Sequence, residues 1–213
     1  MAFDFDLLED PLQLAQYQGW DADVYAAFVA LQEGTLTQAE FDARYRRNEA
    51  ILVLDMTGFT EAAKKGGELA SLLRIFDVQK VCLPVLREHR ARYIRCFADN
   101  IVALFENPGT AADSALAINR RVASFHASDL ATTNPARCCI GIGYGAVYAI
   151  GPNFAQGDEM NRASRLGEDI ARGDEILLTE NAAAALLGRR DIRLEPQSQD
   201  DAPFQFWRLF PAR

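Results

Sequence analysis

Apolar and polar positions along this chain fall into segments of two different periods. Ile51-Leu52-Val53-Leu54 is a short continuous apolar run bounded by charged and turn-forming residues, and it predicts a buried strand over 50–55. Helical spacing follows within 59–89, where Pro84 is expected to kink or end the helix that contains it. Tyr93-Ile94-Arg95-Cys96-Phe97 and Ile101-Val102-Ala103-Leu104-Phe105 flank Ala98-Asp99-Asn100. That arrangement predicts a hairpin over 92–106, because Asp and Asn tolerate left-handed turn geometry. Beyond it the pattern predicts a helix over 110–127, a strand over 137–149, a helix over 158–171, a strand over 175–179, a helix over 180–188, and late strands near 191–196 and 204–209. Strand, helix, hairpin, helix and strand in that order describe an α+β sandwich on a ferredoxin-like βαββαβ core.

A boundary is expected near residue 48. Residues 1–47 are acidic, with Asp4, Asp6, Glu9, Asp10, Asp21 and Asp23 early on. Leu14, Tyr17, Tyr25, Phe28 and Leu31 have helical spacing, and Thr37-Gln38-Ala39-Glu40 is a capping box that starts a second helix ending near Arg47. We read 1–47 as a helical N-terminal extension packed on a main domain spanning 48–213; a dimerisation or regulatory element is the sharper alternative.

Composition narrows the class. The chain's 213 residues can bury one sizeable core plus an appendage. A formal net charge of −8 argues against nucleic acid and anionic membranes as partners. No apolar run is long enough for a transmembrane helix and the acidic start lacks a signal-peptide pattern, so a cytoplasmic protein is expected. Cys82, Cys96, Cys138 and Cys139 have no metal-ligand spacing and read as structural thiols in a reducing compartment, the adjacent pair on opposite faces of a strand. His89 and His126 lie among charged and polar residues and read as surface positions.

Candidate chemistry enters at the strand ends. The apolar run delivers Asp55 to its tip, and Met56-Thr57-Gly58-Phe59-Thr60 follows as a turn leading into a helix. A carboxylate there is costly to bury without a cation or donors, and the backbone N–H groups of such a turn form an anion site. Asp99, in the hairpin turn, is a second strand-tip carboxylate. Taken alone, Asp99 is a hairpin residue and Asp55 a strand-end cap; together they are metal ligands only if the fold joins them. Asn161 and Arg165, four apart on a predicted helix, share one face, where an amide and a guanidinium can orient a ribose and neutralise a phosphoryl oxygen. Gly141-x-Gly143-x-Gly145 lies inside a strand pattern with no helix directly after it, so it reads as close backbone packing rather than a dinucleotide loop.

LDMTGFT (54–60), FADNIVALF (97–105), GIGYGAVYAIG (141–151) and GDEMNRASRLGE (157–168), in this order, resemble the class III nucleotidyl cyclase catalytic domain, the adenylyl and guanylyl cyclase family, over roughly 48–210. The resemblance implies that Asp55 and Asp99, with the Met56 carbonyl, hold two Mg²⁺ or Mn²⁺ ions. It implies that Thr57, Gly58, Phe59 and Thr60 wrap the β- and γ-phosphates through backbone N–H groups. Asn161 would orient the ribose and Arg165 would stabilise charge on the α-phosphate. The implied reaction is attack of the ribose 3′-oxygen on the α-phosphorus of a nucleoside triphosphate, ATP by default, giving a 3′,5′-cyclic nucleotide and pyrophosphate. The implied unit is a head-to-tail homodimer, with the two Asp from one subunit and the base-reading and Asn/Arg pairs from the other.

Some positions depart from the family pattern. Arg95 stands where adenylyl-type members place a purine-reading Lys, and Phe154 where its polar partner is usual. Ala98 replaces a Gly before the second metal Asp, and no C-terminal phosphate-binding Lys is visible; Arg172 and Arg208 are the candidates for that charge. Altered base choice (GTP, UTP or CTP) and nucleotide or partner binding without turnover are therefore the alternative readings.

Overall fold

The computed structural model describes residues 7–17, 19–57, 59–131, 136–150, 155–198 and 204–212, without the side chains of 59–63 and 65. Three short helices come first: α1 (Pro11–Ala15), α2 (Ala22–Gln32) and α3 (Gln38–Tyr45). The capping box forms as the sequence predicts, with the Thr37 hydroxyl accepting from Glu40 N and the Glu40 carboxylate accepting from Thr37 N. Val24, Ala27, Leu36 and Phe41 make a small core with Ile150, against which Tyr148 packs. Tyr148 also donates its hydroxyl to Asp42 at 2.6 Å.

Strand β1 (Arg46–Thr57) starts earlier than the apolar run alone predicts. Its first residues are polar, but Arg46 to Glu49 pair with Tyr148 to Gly145 of β4 (Arg137–Ala149), so ladder hydrogen bonds extend the strand where hydrophobicity does not. Helix α4 (Phe59–Glu88) corrects the expectation for Pro84. The helix passes through Pro84, which is exposed, so water can satisfy the carbonyl freed one turn earlier. Helical dihedrals fail instead at Gly67, whose φ of 77° suits a residue without a Cβ.

The hairpin β2 (Tyr93–Phe97) and β3 (Asn100–Phe105) leads to α5 (Pro108–His126) and β4. The two-residue β5 (Ala155–Gln156) precedes α6 (Asp158–Ser164), which continues as a π-helical segment over Arg165–Ile170. The expected helix over 158–171 therefore has the right extent but changes type halfway. β6 (Ile176–Thr179), α7 (Glu180–Ala185), β7 (Ile192–Gln197) and β8 (Phe206–Pro211) complete the chain. The sheet runs β2-β3-β1-β4-β6-β8-β7, with β5 paired to β4. Its antiparallel β2-β3-β1-β4 part, connected through α4 and α5, is the ferredoxin-like core.

Side-chain alternation along β1 assigns the two layers. Ala50, Leu52 and Leu54 join the large core with residues of α4, α5 and α7, while Ile51 and Val53 face the other way, with Ala163 of α6. Both faces are covered, which is why the strand reads as a continuous apolar run. Cys138 and Cys139 lie in different cores, as adjacent strand residues must. His89 and His126 are half-buried rather than surface residues. Among the described residues, no helix is long and apolar enough to cross a membrane.

Candidate active site

Sheet register brings Asp55 and Asp99 to one place. Leu54 pairs with Ile101, so the next step of the antiparallel ladder sets Asp55 beside Asn100, and Asp99 precedes it in the turn. The electrostatics record this proximity. Burial and then the Asp99 charge push the Asp55 carboxyl up to about 6, against a backbone hydrogen bond from Met56 that favours the ionised form. Glu168 and Asp169, on the π-helical segment, add smaller contributions in the same direction. The leading charges on Asp55 are thus all carboxylates, and neither Arg95 nor Arg165 is among them. Glu168 is itself raised, by partial desolvation and then by Asp169 and Asp99.

The turn that carries Asp99 has its own constraint. Ala98 has φ 49°, the left-handed region that a Cβ disfavours. A substitution that looks minor in sequence therefore forces an L-residue into glycine-like geometry. On the other side of β1, Met56 is 3% exposed with its side chain in the large core, which leaves its main chain at the strand end. The Thr57 hydroxyl donates to the Arg137 carbonyl at 3.3 Å, and the Thr57 carbonyl accepts from buried Arg74 Nη2 at 3.4 Å. Phe59 and Thr60 open α4, but their side chains, with Gly58 and Phe154, lie outside the described residues.

The seam between β4 and α6 places the remaining candidates. A Cβ added at Gly141 would collide with the Ala163 carbonyl and stand 2.6 Å from Gly167 N; one at Gly143 would stand 2.6 Å from the Glu159 carbonyl. The three alternating glycines are therefore the close-packing surface that their strand context predicts. Glu159 and Ala163 face this surface and are buried, while Asn161 and Arg165 are exposed on the opposite side. Arg165 is the first residue of the π-helical segment, a geometry that recurs at functional sites.

Arg95 is exposed on β2 with its guanidinium carbon 5.7 Å from the Phe97 ring centroid. The two candidates for a C-terminal phosphate-binding cation are engaged elsewhere. Arg208 pairs with Glu175 at 2.6 Å, and Arg172 donates to the Asp169 and Ala171 carbonyls. Sequence reasoning had no means to single out Glu159, Glu168 or Asp169. Two of them sit in the motif that carries Asn161 and Arg165, but only the packing of α6 shows which carboxylates turn inward and which turn toward Asp55.

Among the described residues, no three His, Cys, Asp or Glu side chains converge as a preformed metal cage. Two carboxylates at one strand tip, with Asp55 pushed up by burial and by the Asp99 charge, are a hard-oxygen donor set. That set suits a divalent cation that takes its other ligands from water and substrate phosphates.

No protein-family model matches the chain, and no curated protein matches it in sequence. Solved structures do match in fold. The adenylyl cyclase CyaB from P. aeruginosa has a TM-score of 0.67 at 16% identity, covering 79% of this chain and 96% of that one. The guanylate cyclase domain of RhGC from Catenaria anguillulae, solved in complex with GTP, has a TM-score of 0.65 at 14% identity, covering 78% and 97%. An adenylate/guanylate cyclase/hydrolase from Silicibacter pomeroyi has a TM-score of 0.64 at 21% identity, covering 78% and 98%. At these identities the likeness is one of fold, and the fold is that of the class III adenylyl and guanylyl cyclase catalytic domain.

Proposed function

We propose, from the premise of a cyclase fold, that this chain is a nucleotidyl cyclase. The observation that carries the reading is the meeting of Asp55 and Asp99 at the tip of β1. Their carboxylates and the Met56 carbonyl would hold two Mg²⁺ or Mn²⁺ ions. Bound there, the ions would acidify the ribose 3′-hydroxyl and neutralise triphosphate charge. The backbone N–H groups of Thr57 to Thr60 would hold the β- and γ-phosphates at the start of α4. Asn161 would orient the ribose. Arg165 would stabilise the charge that develops on the α-phosphoryl oxygens as the 3′-oxygen forms its bond to phosphorus and pyrophosphate departs with the electron pair.

Arg95 and Phe154 would read the base. A guanidinium only donates, so Arg95 suits a carbonyl acceptor on the base, and Phe154 offers stacking. ATP is the default substrate, with GTP, UTP and CTP as the alternatives these two side chains raise. The active unit would be a homodimer that shares its sites. Support comes from Asp55, where Asp99, Glu168 and Asp169 are the leading charges and Arg165 is not among them, as expected if the two groups serve different sites. Residues 1–47 would form an extension resting on Tyr148 of β4 and on Ile150 just after it. The four free thiols favour a reducing compartment such as the cytoplasm.

A second reading is a cyclase-like domain that binds nucleotide without turnover, favoured by the engagement of Arg172 and Arg208 away from a phosphate site. One experiment separates the two. Purified protein is incubated with Mn²⁺ and each of the four nucleoside triphosphates, and products are identified by mass spectrometry. A 3′,5′-cyclic nucleotide with equimolar pyrophosphate is expected. Saturable nucleotide binding with no cyclic product from any of the four would establish the second reading instead.

A further inference from the structure

Glu159 is a carboxylate only 6% exposed, in the first turn of the helix that carries Asn161 and Arg165. We propose that it is a positioning residue, which fixes the rotation of α6 so that Asn161 and Arg165 present themselves together; this rests on the cyclase reading of those two side chains.

Three donors from outside the helix converge on it. Glu159 Oε2 accepts from Tyr144 N of β4 at 3.1 Å and from the Thr179 hydroxyl at 2.7 Å, while Oε1 accepts from Asn181 Nδ2 at 2.8 Å. Thr179 links the network onward, because its oxygen also accepts from Ala182 N and caps α7. Arg162 Nη1, one turn along α6, stands 3.8 Å from Oε1. The glycine stripe makes room for the group: a Cβ at Gly145 would stand 2.7 Å from Glu159 Cγ, and one at Gly143 would stand 3.2 Å from Oε2.

Stability alone does not call for a carboxylate here. A buried charge is desolvated at a cost, and a well-packed apolar side chain of similar volume is often as stable or more so. What apolar packing lacks is direction. Ala163 and Leu166 could hold the helix on the sheet over a range of rotations, whereas hydrogen bonds to β4, Thr179 and α7 hold only one. Asn161 lies about 200° and Arg165 about 240° around the helix from Glu159, so the group that grips the sheet faces away from the groups that would meet the substrate. A misplacement of about 1 Å at a reacting centre can cost on the order of 100-fold in rate.

The test compares Glu159→Leu, Asn181→Leu and Glu159→Gln at a temperature well below each variant's unfolding midpoint. Glu159→Leu removes the acceptor for all three donors. Asn181→Leu removes one donor from outside the helix and serves if Glu159→Leu does not fold. Glu159→Gln keeps an acceptor for Tyr144 and Thr179, and its amide can donate to a rotated Asn181.

The expected result is a fall in kcat of about 100-fold for Glu159→Leu and about tenfold for Asn181→Leu, with KM for the metal–nucleotide within about threefold, because the displaced groups act on the transition state. Glu159→Gln should return kcat to within about fivefold of wild type. Lowered unfolding midpoints with kcat unchanged in both Leu variants would overturn the proposal. If wild type itself forms no cyclic nucleotide, the cyclase reading has failed, and hydrogen exchange decides the positioning claim. Lost protection across 160–170 in both Leu variants, regained in Glu159→Gln, upholds it, and unchanged protection rejects it.

Discussion

The two walls of the candidate site are built in opposite ways. Along the β4–α6 seam, three glycines let a helix lie on bare backbone, and a buried carboxylate, Glu159, is met by three donors. At the tip of β1, Asp55 faces other carboxylates, and the adjoining turn holds Ala98 in a left-handed conformation. The seam is settled by protein groups alone. The tip is not, and its negative charge is what a bound cation would offset. In the proposed cyclase the precise wall would carry Asn161 and Arg165, and the acidic wall would hold the metal ions.

The largest expected effect comes from removing the unmet charge. Asp55→Ala or Asp99→Ala should lower turnover by at least about 10³-fold while the circular dichroism spectrum stays that of wild type. Near-normal Mn²⁺-dependent activity in either variant would remove the tip from the mechanism.

The next effect asks whether the two walls meet within one chain or between two. Separately inactive Asp55→Ala and Arg165→Ala chains, mixed after subunit exchange is verified, should recover roughly a quarter of wild-type activity, since half the chains pair as heterodimers with one intact site of two. A mixture that stays inactive would mean that each chain supplies both walls of its own site.

The seam should be intolerant of bulk. Gly141→Ala forces a methyl group into the Ala163 carbonyl and toward Gly167 N, and should cost about 3 kcal/mol in urea unfolding, the upper end for overpacking. A cost under about 1 kcal/mol would show that α6 can slide outward without penalty.

pH should act on the tip and spare the seam. The folded-state pKa of Asp55, about 6, lies above its ordinary value of 3.8, so the folded chain holds this proton more tightly than the unfolded one. Its contribution to stability is fully present below about pH 4 and is lost as pH rises through 6; the shift corresponds to about 3 kcal/mol, which solvent screening of this partly exposed carboxyl lowers to roughly 2 kcal/mol. In EDTA, the difference in stability between Asp55→Asn and wild type should therefore grow in favour of the variant from pH 4 to 6 and then level off. Divalent-metal affinity should run the other way and strengthen as pH rises through 6, because proton and cation compete for the same oxygens. A flat difference across this range would mean that the Asp55 environment is no more hostile to charge than water.

The smallest effect is local to the hairpin. Ala98→Gly should stabilise the protein by about 0.5–1 kcal/mol, because relief of the left-handed strain exceeds the added freedom of the unfolded chain. No gain in the chemical-denaturation midpoint would place the turn's strain elsewhere.

Much of this arrangement was legible from sequence for a physical reason. The apolar run ending at Asp55, the Ala98-Asp99-Asn100 turn, the 137–149 strand and the Thr37 capping box are each dictated by neighbours in the chain, through hydrophobic period, turn chemistry and capping. Alternating glycines inside a strand announced that another backbone would come close, and the layer formed by α6 does so. Tertiary structure alone decided the rest. The β1–β3 register makes neighbours of two aspartates that are far apart in sequence. Solvent exposure lets α4 pass through Pro84 and break at Gly67 instead. Packing of α6 against β4 turns Glu159 inward while the π-helical segment carries Glu168 and Asp169 toward Asp55. Local patterns report what a residue prefers next to its chain neighbours. Which charges meet, and whether a donor answers them, depends on contacts between residues distant in the chain, and those exist only once the sheet has closed.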